Sequence, residues 1–142
     1  MIPSGGMSQI LVDEHLSRTE VLEPLQQWTT AQKIEDLAPN ETFKDDRILQ
    51  VLRRQKQPTF VTLDAGFYHR KHCDRRYCSI YFVLPHQEQH RLPGLLHQLF
   101  RLPEFKTKAA HMGKVVRVSR KRVEFWQAGN EKKRVVRWPL MR

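Results

Sequence analysis

Three aspartates, Asp13, Asp45 and Asp64, occupy positions from which a folded chain could assemble a metal site. Asp13 and Asp64 each follow a short apolar run, "ILV" and "TFVTL", whereas Asp45 opens the amphipathic run "DDRILQVL". Ligands of open α/β sheets bind beyond the carboxyl ends of the strands. If the two apolar runs are neighbouring parallel strands, we therefore expect their acids to share one crevice.

Carboxylates that lie close together need a neutralising partner, and a hard divalent cation provides one. A helical rotation of about 100° per residue places Asp45 on the apolar side of its helix, facing the sheet, where an unpartnered carboxylate is costly. We therefore predict a Mg²⁺ or Mn²⁺ site formed by Asp13, Asp45 and Asp64, with Glu14 and Asp46 as further candidate ligands. Such a site can activate water for attack on a phosphodiester.

Each acid also has a simpler interpretation. Asp45 could be a helix N-cap, Asp64 a turn residue and Glu14 a solvated side chain. Taken singly, these structural roles are the commoner ones. The occurrence of the three acids in order on a strand–helix–strand framework favours the metal site.

The elements that must position these acids follow from the hydrophobic pattern. Helices are predicted after Ser17, which forms a capping-box pattern with Glu20, and from Asp45 or Asp46. A third helix is predicted over 92–102, with Pro93 in its first turn. Strands are predicted at 8–13, 30–37, 59–64, 78–85 and 134–140, and a β-hairpin at 114–127.

Strands that alternate with helices predict an α/β fold, a mostly parallel central sheet flanked by helices. The hairpin and the last strand predict an antiparallel extension at one edge of that sheet. The expected organisation is an N-terminal extension over 1–7 and a single domain over 8–142, within which 113–142 form the basic β-hairpin extension.

Charge is unevenly distributed along the 142 residues, whose formal net charge is +10. Residues 1–64 carry 7 Lys or Arg and 10 Asp or Glu, whereas residues 101–142 carry 13 and 3. A basic C-terminal segment of this size favours a polyanionic partner such as a nucleic acid. No apolar run approaches the roughly 20 residues of a membrane helix. The first residues lack secretory-signal features, and two cysteines suit a reduced, cytoplasmic protein.

Two basic segments could hold a nucleic acid. The first is "YHRKHCDRRYC" at 68–78, which we expect to lie beside the acids, and the second is the tip of the predicted hairpin. Their candidate phosphate-binding residues are Arg70, Lys71, Arg75, Arg76, Arg120, Lys121 and Arg122. A solvated charged loop is an equally good interpretation of the first segment. Zinc binding by its histidines and by Cys73 and Cys78 is disfavoured, because their spacing matches no familiar zinc module.

The stretches "ILVDEHLS", "DDRILQVL" and "TFVTLDAGF", together with the closing "RVVRWPL", resemble the PIN-like domain superfamily. The nearest branch is the small proteins related to VapBC-type toxin ribonucleases. The resemblance implies a PIN-like fold and a metal-dependent endoribonuclease in which Asp13, Asp45 and Asp64 match the first, helix and third acids. It further implies RNA as substrate, with a possible antitoxin partner and a possible homodimer.

The match departs from the family pattern at Gly66, where a fourth acid usually stands. Glu14, Asp46 or Asp74 could replace it. The alternative function is therefore a catalytically weak PIN-like protein that binds nucleic acid or a regulatory partner.

Overall fold

The computed structural model describes residues 9–37 and 44–138. Its central feature is one mixed sheet of seven strands, in the order β2-β1-β3-β4-β5-β6-β7. The strands are β1 (Ile10–Val12), β2 (Ala31–Lys33), β3 (Thr59–Thr62), β4 (Cys78–Phe82), β5 (Lys114–Val118), β6 (Arg122–Gln127) and β7 (Arg134–Arg137).

Within the described residues, four α-helices and several short π-helical or 3₁₀ turns connect these strands. The helices are α1 (Glu23–Gln26), α2 (Asp45–Arg54), α3 (Leu92–Leu99) and α4 (Lys108–His111). A π-helical turn (Arg18–Leu22) leads into α1, and the Ser17 side chain accepts the Glu20 N–H at 3.1 Å, which confirms the predicted cap. The 3₁₀ turns are Ile34–Leu37, Ala65–Phe67, Arg70–His72 and His86–Arg91.

The two acid-bearing strands are neighbours in the sheet, which is the condition for their acids to share one crevice. Strand β1 pairs in parallel with both β2 and β3, and Val12 lies opposite Val61. Strands β4 and β5 continue the parallel part, whereas β6 and β7 add to it in antiparallel fashion. The predicted α/β class, with a mostly parallel sheet and an antiparallel C-terminal hairpin, is confirmed at this level. Segments that follow β1 and β3 emerge at one edge of the sheet, which we call the carboxyl edge.

Apolar side chains alternate along the strands and form a core on each face of the sheet. Ile10 and Val12 point to the cluster that includes Leu25 of α1 and residues of α3. Leu11 points to the opposite cluster, which contains the buried side of α2. Helices therefore cover both faces and fix the strand register, because a slip of one residue would expose one of the two cores.

Some sequence predictions differ from the structure in extent. The strand predicted at 30–37 is only three residues long and continues as a 3₁₀ turn, and the short helix α4 was not predicted. Residues 1–8, 38–43 and 139–142 lie outside the described residues, and with them the predicted N-terminal extension and the end of the last predicted strand. Within the described residues, every helix is too short or too polar to cross a lipid bilayer.

Candidate carboxylate site at the edge of the sheet

A threonine links the two strand ends that carry Asp13 and Asp64. Asp13 directly follows β1, and Thr62 is the last residue of β3. The Thr62 hydroxyl donates to Asp13 Oδ2 at 2.5 Å, and its oxygen accepts the Asp64 N–H at 3.0 Å. This buried side chain therefore sets the position of one carboxylate and of the backbone that carries the other.

Asp13 and Asp64 lie in very different surroundings although they line the same pocket. Asp13 is 3% exposed, and its burial raises the pKa of its carboxyl group, an effect that the Thr62 hydrogen bond opposes. Asp64 is exposed, and its Oδ1 accepts the Gly66 N–H at 2.8 Å. The pocket has a volume of about 240 Å³, and its other lining residues include His15 and His86.

Asp45 approaches Asp64 across Gly66. A methyl group built on Gly66 would lie 3.1 Å from Asp64 Oδ1 and 3.6 Å from Asp45 Oδ2. Asp45 is exposed, so the prediction that it faces the sheet is wrong, and its alternative role as N-cap is taken by Lys44. The physical reason is that α2 begins beyond the end of β3, where its first turn has no sheet beneath it.

The three predicted acids are thus adjacent in pairs, Asp13 with Asp64 in one pocket and Asp64 with Asp45 at Gly66. Glu14 is half-buried beside them, and its Oε1 lies 3.7 Å from His15 Nε2. Asp46 is exposed in the first turn of α2. Within residues 9–37 and 44–138, no three or more His, Cys, Asp or Glu side chains form a group arranged to hold a metal ion.

A buried lysine that the sequence analysis missed holds the loop after β1. Lys33, at the end of β2, donates from Nζ to the carbonyl oxygens of Asp13 at 2.9 Å and Glu14 at 2.8 Å, and also to that of Leu16. Burial is the main cause that lowers the pKa of Lys33. Its cation therefore binds the backbone of the loop that presents Asp13, and Glu35 Oε2 lies 3.7 Å from Nζ.

The basic hairpin tip lies at the carboxyl edge, as the acids do. Arg120 and Lys121 connect the end of β5 to the start of β6, and both are exposed. Just before them, the Ser119 carbonyl accepts the Trp138 Nε1–H at 2.8 Å, which fixes the base of the tip. Arg122 Nε lies 3.7 Å from Glu124 Oε2. Among the described residues, Arg120 and Lys121 form no ion pair.

The other basic segment lies elsewhere, and the expectation that it adjoins the acids is wrong. The Arg70 guanidinium is 5.4 Å from the centre of the Trp126 ring, and Arg75 Nη2 would lie 2.6 Å from a methyl group on Gly129. Gly129 follows β6, at the edge where the parallel strands begin, which we call the amino edge. The chain must return there after β3 to start the parallel strand β4, and it carries this segment with it.

Asp74 also lies at the amino edge, so the possibility that it replaces the missing fourth acid is wrong. Its carboxylate binds Arg76 at 2.8 Å and Arg53 at 3.2 Å, and the hydrogen bond from Arg76 is the main cause that lowers its pKa to about 2. Two arginines thus occupy the oxygens that a metal would need.

The two thiols have ordinary structural surroundings. Cys78 is fully buried in β4, as predicted, and burial raises the pKa of its thiol. Cys73 is half-buried, and burial also raises its pKa. The His69 side chain accepts the Lys71 N–H at 3.2 Å, so it helps to form the 3₁₀ turn.

Comparison of the chain with models of known protein families, with curated proteins and with solved structures found no match. The site is therefore characterised by its own geometry. It is a carboxylate-lined pocket beyond parallel strand ends, with a cationic hairpin tip at the same edge of the sheet.

Proposed function

We propose that the protein is a PIN-like, metal-dependent endoribonuclease that hydrolyses RNA phosphodiester bonds at the carboxyl edge of the sheet. The observation that carries the proposal is Asp13. It is a buried carboxylate that forms no ion pair with any described residue, yet it opens onto the same pocket as Asp64. Carboxyl groups whose pKa values are shifted by burial in a pocket are concentrated at functional sites.

The donor set fits Mg²⁺ or Mn²⁺, because both prefer oxygen ligands and commonly bind one or two carboxylates. Asp13 and Asp64 would hold the ion, with Asp45, Glu14 and Asp46 within reach of the same edge as candidate ligands. The bound ion would supply positive charge and lower the pKa of a bound water. Thr62 orients the Asp13 carboxylate, and Lys33 holds the backbone of its loop.

The charge distribution favours a polyanionic substrate, and the resemblance to PIN-like proteins implies that this substrate is RNA. The chain carries a net charge of +10, and the exposed Arg120 and Lys121 lie at the same edge as the acids. Such cations bind phosphates and position the strand without reading its sequence. An antitoxin partner and a homodimer follow only from the resemblance and remain predictions.

The test is cleavage of a panel of fluorescent RNAs by the full chain in Mg²⁺ or Mn²⁺, with EDTA as the metal-free reference. Asp13→Asn and Asp64→Asn are each expected to lower the rate by about 100-fold or more, because each removes a charge that acts in the transition state. Asp36→Asn is the matched control, since Asp36 pairs with Arg18 outside the pocket. Cleavage that survives in the double variant Asp13→Asn/Asp64→Asn would refute the proposal.

A second candidate is a PIN-like protein that binds nucleic acid without cutting it. Gly66 favours it, because the fourth acid is absent and a methyl group there would already lie 3.1 Å from Asp64 Oδ1. This candidate predicts RNA binding that weakens steeply with salt, is unchanged by EDTA and leaves the RNA intact. Binding measured by fluorescence anisotropy, with the RNA recovered and sized afterwards, separates the two candidates.

A further inference from the structure

A second pocket adjoins the carboxylate pocket at the carboxyl edge. It has a volume of about 480 Å³, which falls within the range of roughly 300–1,000 Å³ that is typical of small-molecule sites. Leu84 lines both pockets, so the two are neighbours. We call this second cavity the flanking pocket.

We propose that the flanking pocket binds the base of a ribonucleotide next to the bond that is cut, with Arg120 holding the phosphate of that nucleotide. The proposal rests on the ribonuclease function above and adds a substrate subsite to it. Three features carry the proposal. They are the apolar part of the pocket lining, the Arg120 guanidinium group, which forms no ion pair among the described residues, and the hydrogen bonds that order the rim of the pocket.

The apolar part of the pocket lining suits the face of a base. Val83, Leu84, Pro85, Leu95 and Val118 line the pocket. Val83 is 37% exposed, and within the described residues Val135 is the only other large hydrophobic residue that is exposed. The Val83 N–H donates to the Val118 carbonyl at 2.9 Å, so this apolar surface is held in place by the backbone. A lining that combines apolar side chains with a few polar groups is typical of a ligand pocket.

The two arginines on the rim of the pocket, Arg91 and Arg120, differ in whether their charge is already paired. Arg91 Nη1 donates to Glu88 Oε1 at 3.0 Å, so its charge is already compensated. Arg120 forms no ion pair among the described residues and therefore remains available for an anion. A guanidinium group matches the geometry of a phosphate and can form two parallel hydrogen bonds with it. The Glu88–Arg91 pair offers both acceptors and donors to the edge of a base.

The rim is also ordered by hydrogen bonds within the tip. The Ser119 hydroxyl donates to the Arg122 carbonyl at 3.0 Å, and the Ser119 carbonyl accepts the Trp138 indole N–H at 2.8 Å. Such contacts reduce the ordering that a bound nucleotide would require. They also provide a reporter, because the indole N–H of Trp138 donates to Ser119, which lines the pocket.

The test is a titration of the ¹⁵N-labelled full chain in EDTA, followed by amide and indole NMR signals. The probes are the four ribonucleoside 5′-monophosphates, ribose 5-phosphate and inorganic phosphate. At least one nucleotide is expected to shift the Ser119 amide and the Trp138 indole signals. Its dissociation constant should be about tenfold lower than that of ribose 5-phosphate, because only the nucleotide buries apolar area in the pocket. Equal affinities for nucleotide and ribose 5-phosphate would overturn the proposal.

Two matched pairs of variants locate the binding. Arg120→Gln is paired with Lys132→Gln, which removes the same charge at an exposed position outside the pocket. Val83→Glu is paired with Val135→Glu, which places the same acid on the other exposed valine. The first member of each pair is expected to weaken nucleotide binding about tenfold, and the second to leave it unchanged. Equal effects within both pairs would overturn the proposal.

Failure of this proposal is distinguishable from failure of the ribonuclease proposal. Metal-dependent cleavage that depends on Asp13, without nucleotide-induced shifts at the flanking pocket, overturns the subsite and leaves the enzyme. Nucleotide binding at the pocket, without cleavage above the Asp13→Asn level, overturns the enzyme and leaves a nucleotide site.

Discussion

Aspartates at the two edges of the sheet differ in their ion pairing and in the direction of their pKa shift. At the amino edge, Asp74 binds Arg76 and Arg53, and these contacts lower its pKa to about 2. At the carboxyl edge, Asp13 is buried without an ion-pair partner among the described residues, and burial raises its pKa. The nearby Lys33 forms no ion pair with it, because its ammonium group binds three backbone carbonyls, so its attraction acts only at longer range.

Asp74 therefore stabilises the folded state, whereas the burial of Asp13 lowers its stability. Asp74 joins the last turn of α2 to the segment that leads into β4, and its charge is satisfied there. Asp13 loses hydration without gaining a direct ion pair from any described residue, and such uncompensated burial occurs mainly at functional sites. Two arginines therefore bind Asp74, whereas Asp13 lines an open pocket.

The largest expected effect concerns the lysine behind Asp13. Lys33→Met should lower the free energy of unfolding by about 3 kcal/mol or more, because it leaves three carbonyl oxygens without their donor. Urea unfolding followed by circular dichroism measures the change. Lys56→Met, at an exposed position after α2, is the control and should change stability by less than about 0.5 kcal/mol. A loss below about 1 kcal/mol would show that water can replace the ammonium group and that the loop does not depend on it.

The next effect is a pH dependence that originates at the amino edge. His111, in α4, is fully buried, its Nδ1–H donates to the Phe105 carbonyl at 2.9 Å, and burial lowers its pKa from 6.5 to about 4. The unfolded chain therefore takes up a proton before the folded chain does. The resulting stability is fully present above pH 6.5 and is lost as the pH falls towards 4.

The loss from this one group should approach about 3 kcal/mol, at 1.36 kcal/mol per pKa unit. His111→Gln should be less stable at pH 7 and should lose less stability on acidification. The exposed His90→Gln is the control and should keep the slope of the wild type. Parallel curves for wild type and His111→Gln between pH 7 and 4.5 would contradict the burial argument.

The sequence predicted the parts of the site that depend on local patterns. The apolar runs that end in Asp13 and Asp64 form strands as predicted, and α2 begins at Asp45, one of its two predicted starts. The adjacency of the two strands was a condition of the predicted site, and the sheet meets it. These signals are local because strand length and helix periodicity are set by consecutive residues. The exposure of Asp45 was not predictable in the same way, since it depends on where α2 begins relative to the edge of the sheet.

The parts that were missed are contacts between distant elements. Thr62 and Asp13 are 49 positions apart, and Lys33 lies 17 to 20 positions from the carbonyls it binds. No periodic pattern in one segment reveals such a contact, although a polar residue two positions before Asp64 was a signal that could have been used. The basic segment at 68–78 was misplaced because its path depends on the parallel pairing of β4, a property of the whole sheet.

A smaller loss of stability is expected when Asp74, at the amino edge, is changed to Asn. Asp74→Asn should lower the free energy of unfolding at pH 7 by about 1–2 kcal/mol. This loss is smaller than the pKa shift alone would give, because the Arg76 and Arg53 side chains are partly exposed and solvent screens their charges. The loss should vanish as the pH falls below about 2, where Asp74 is protonated in both states. Urea unfolding at several pH values measures it. Unchanged stability at pH 7 would mean that the two arginines are adequately solvated without Asp74.

The smallest expected effect has the opposite sign and concerns Asp13. In EDTA at pH 7, Asp13→Asn should raise the free energy of unfolding by up to about 1 kcal/mol, because it removes a buried charge while leaving an oxygen for the Thr62 hydroxyl to donate to. A carboxyl group whose pKa is raised by folding favours the fold fully below the unfolded value of 3.8, and this contribution is lost as the pH rises through the folded value. The gain of the variant should therefore disappear near pH 3.

Addition of Mg²⁺ or Mn²⁺ provides the sharpest contrast between the edges. An ion bound at Asp13 and Asp64 should stabilise the wild type and Asp74→Asn alike, and should leave Asp13→Asn unchanged. Thermal unfolding of the three proteins over a metal titration measures this. If Asp13→Asn is less stable than the wild type in EDTA, Asp13 is a satisfied structural acid like Asp74, and the carboxyl edge loses its main claim to be a functional site.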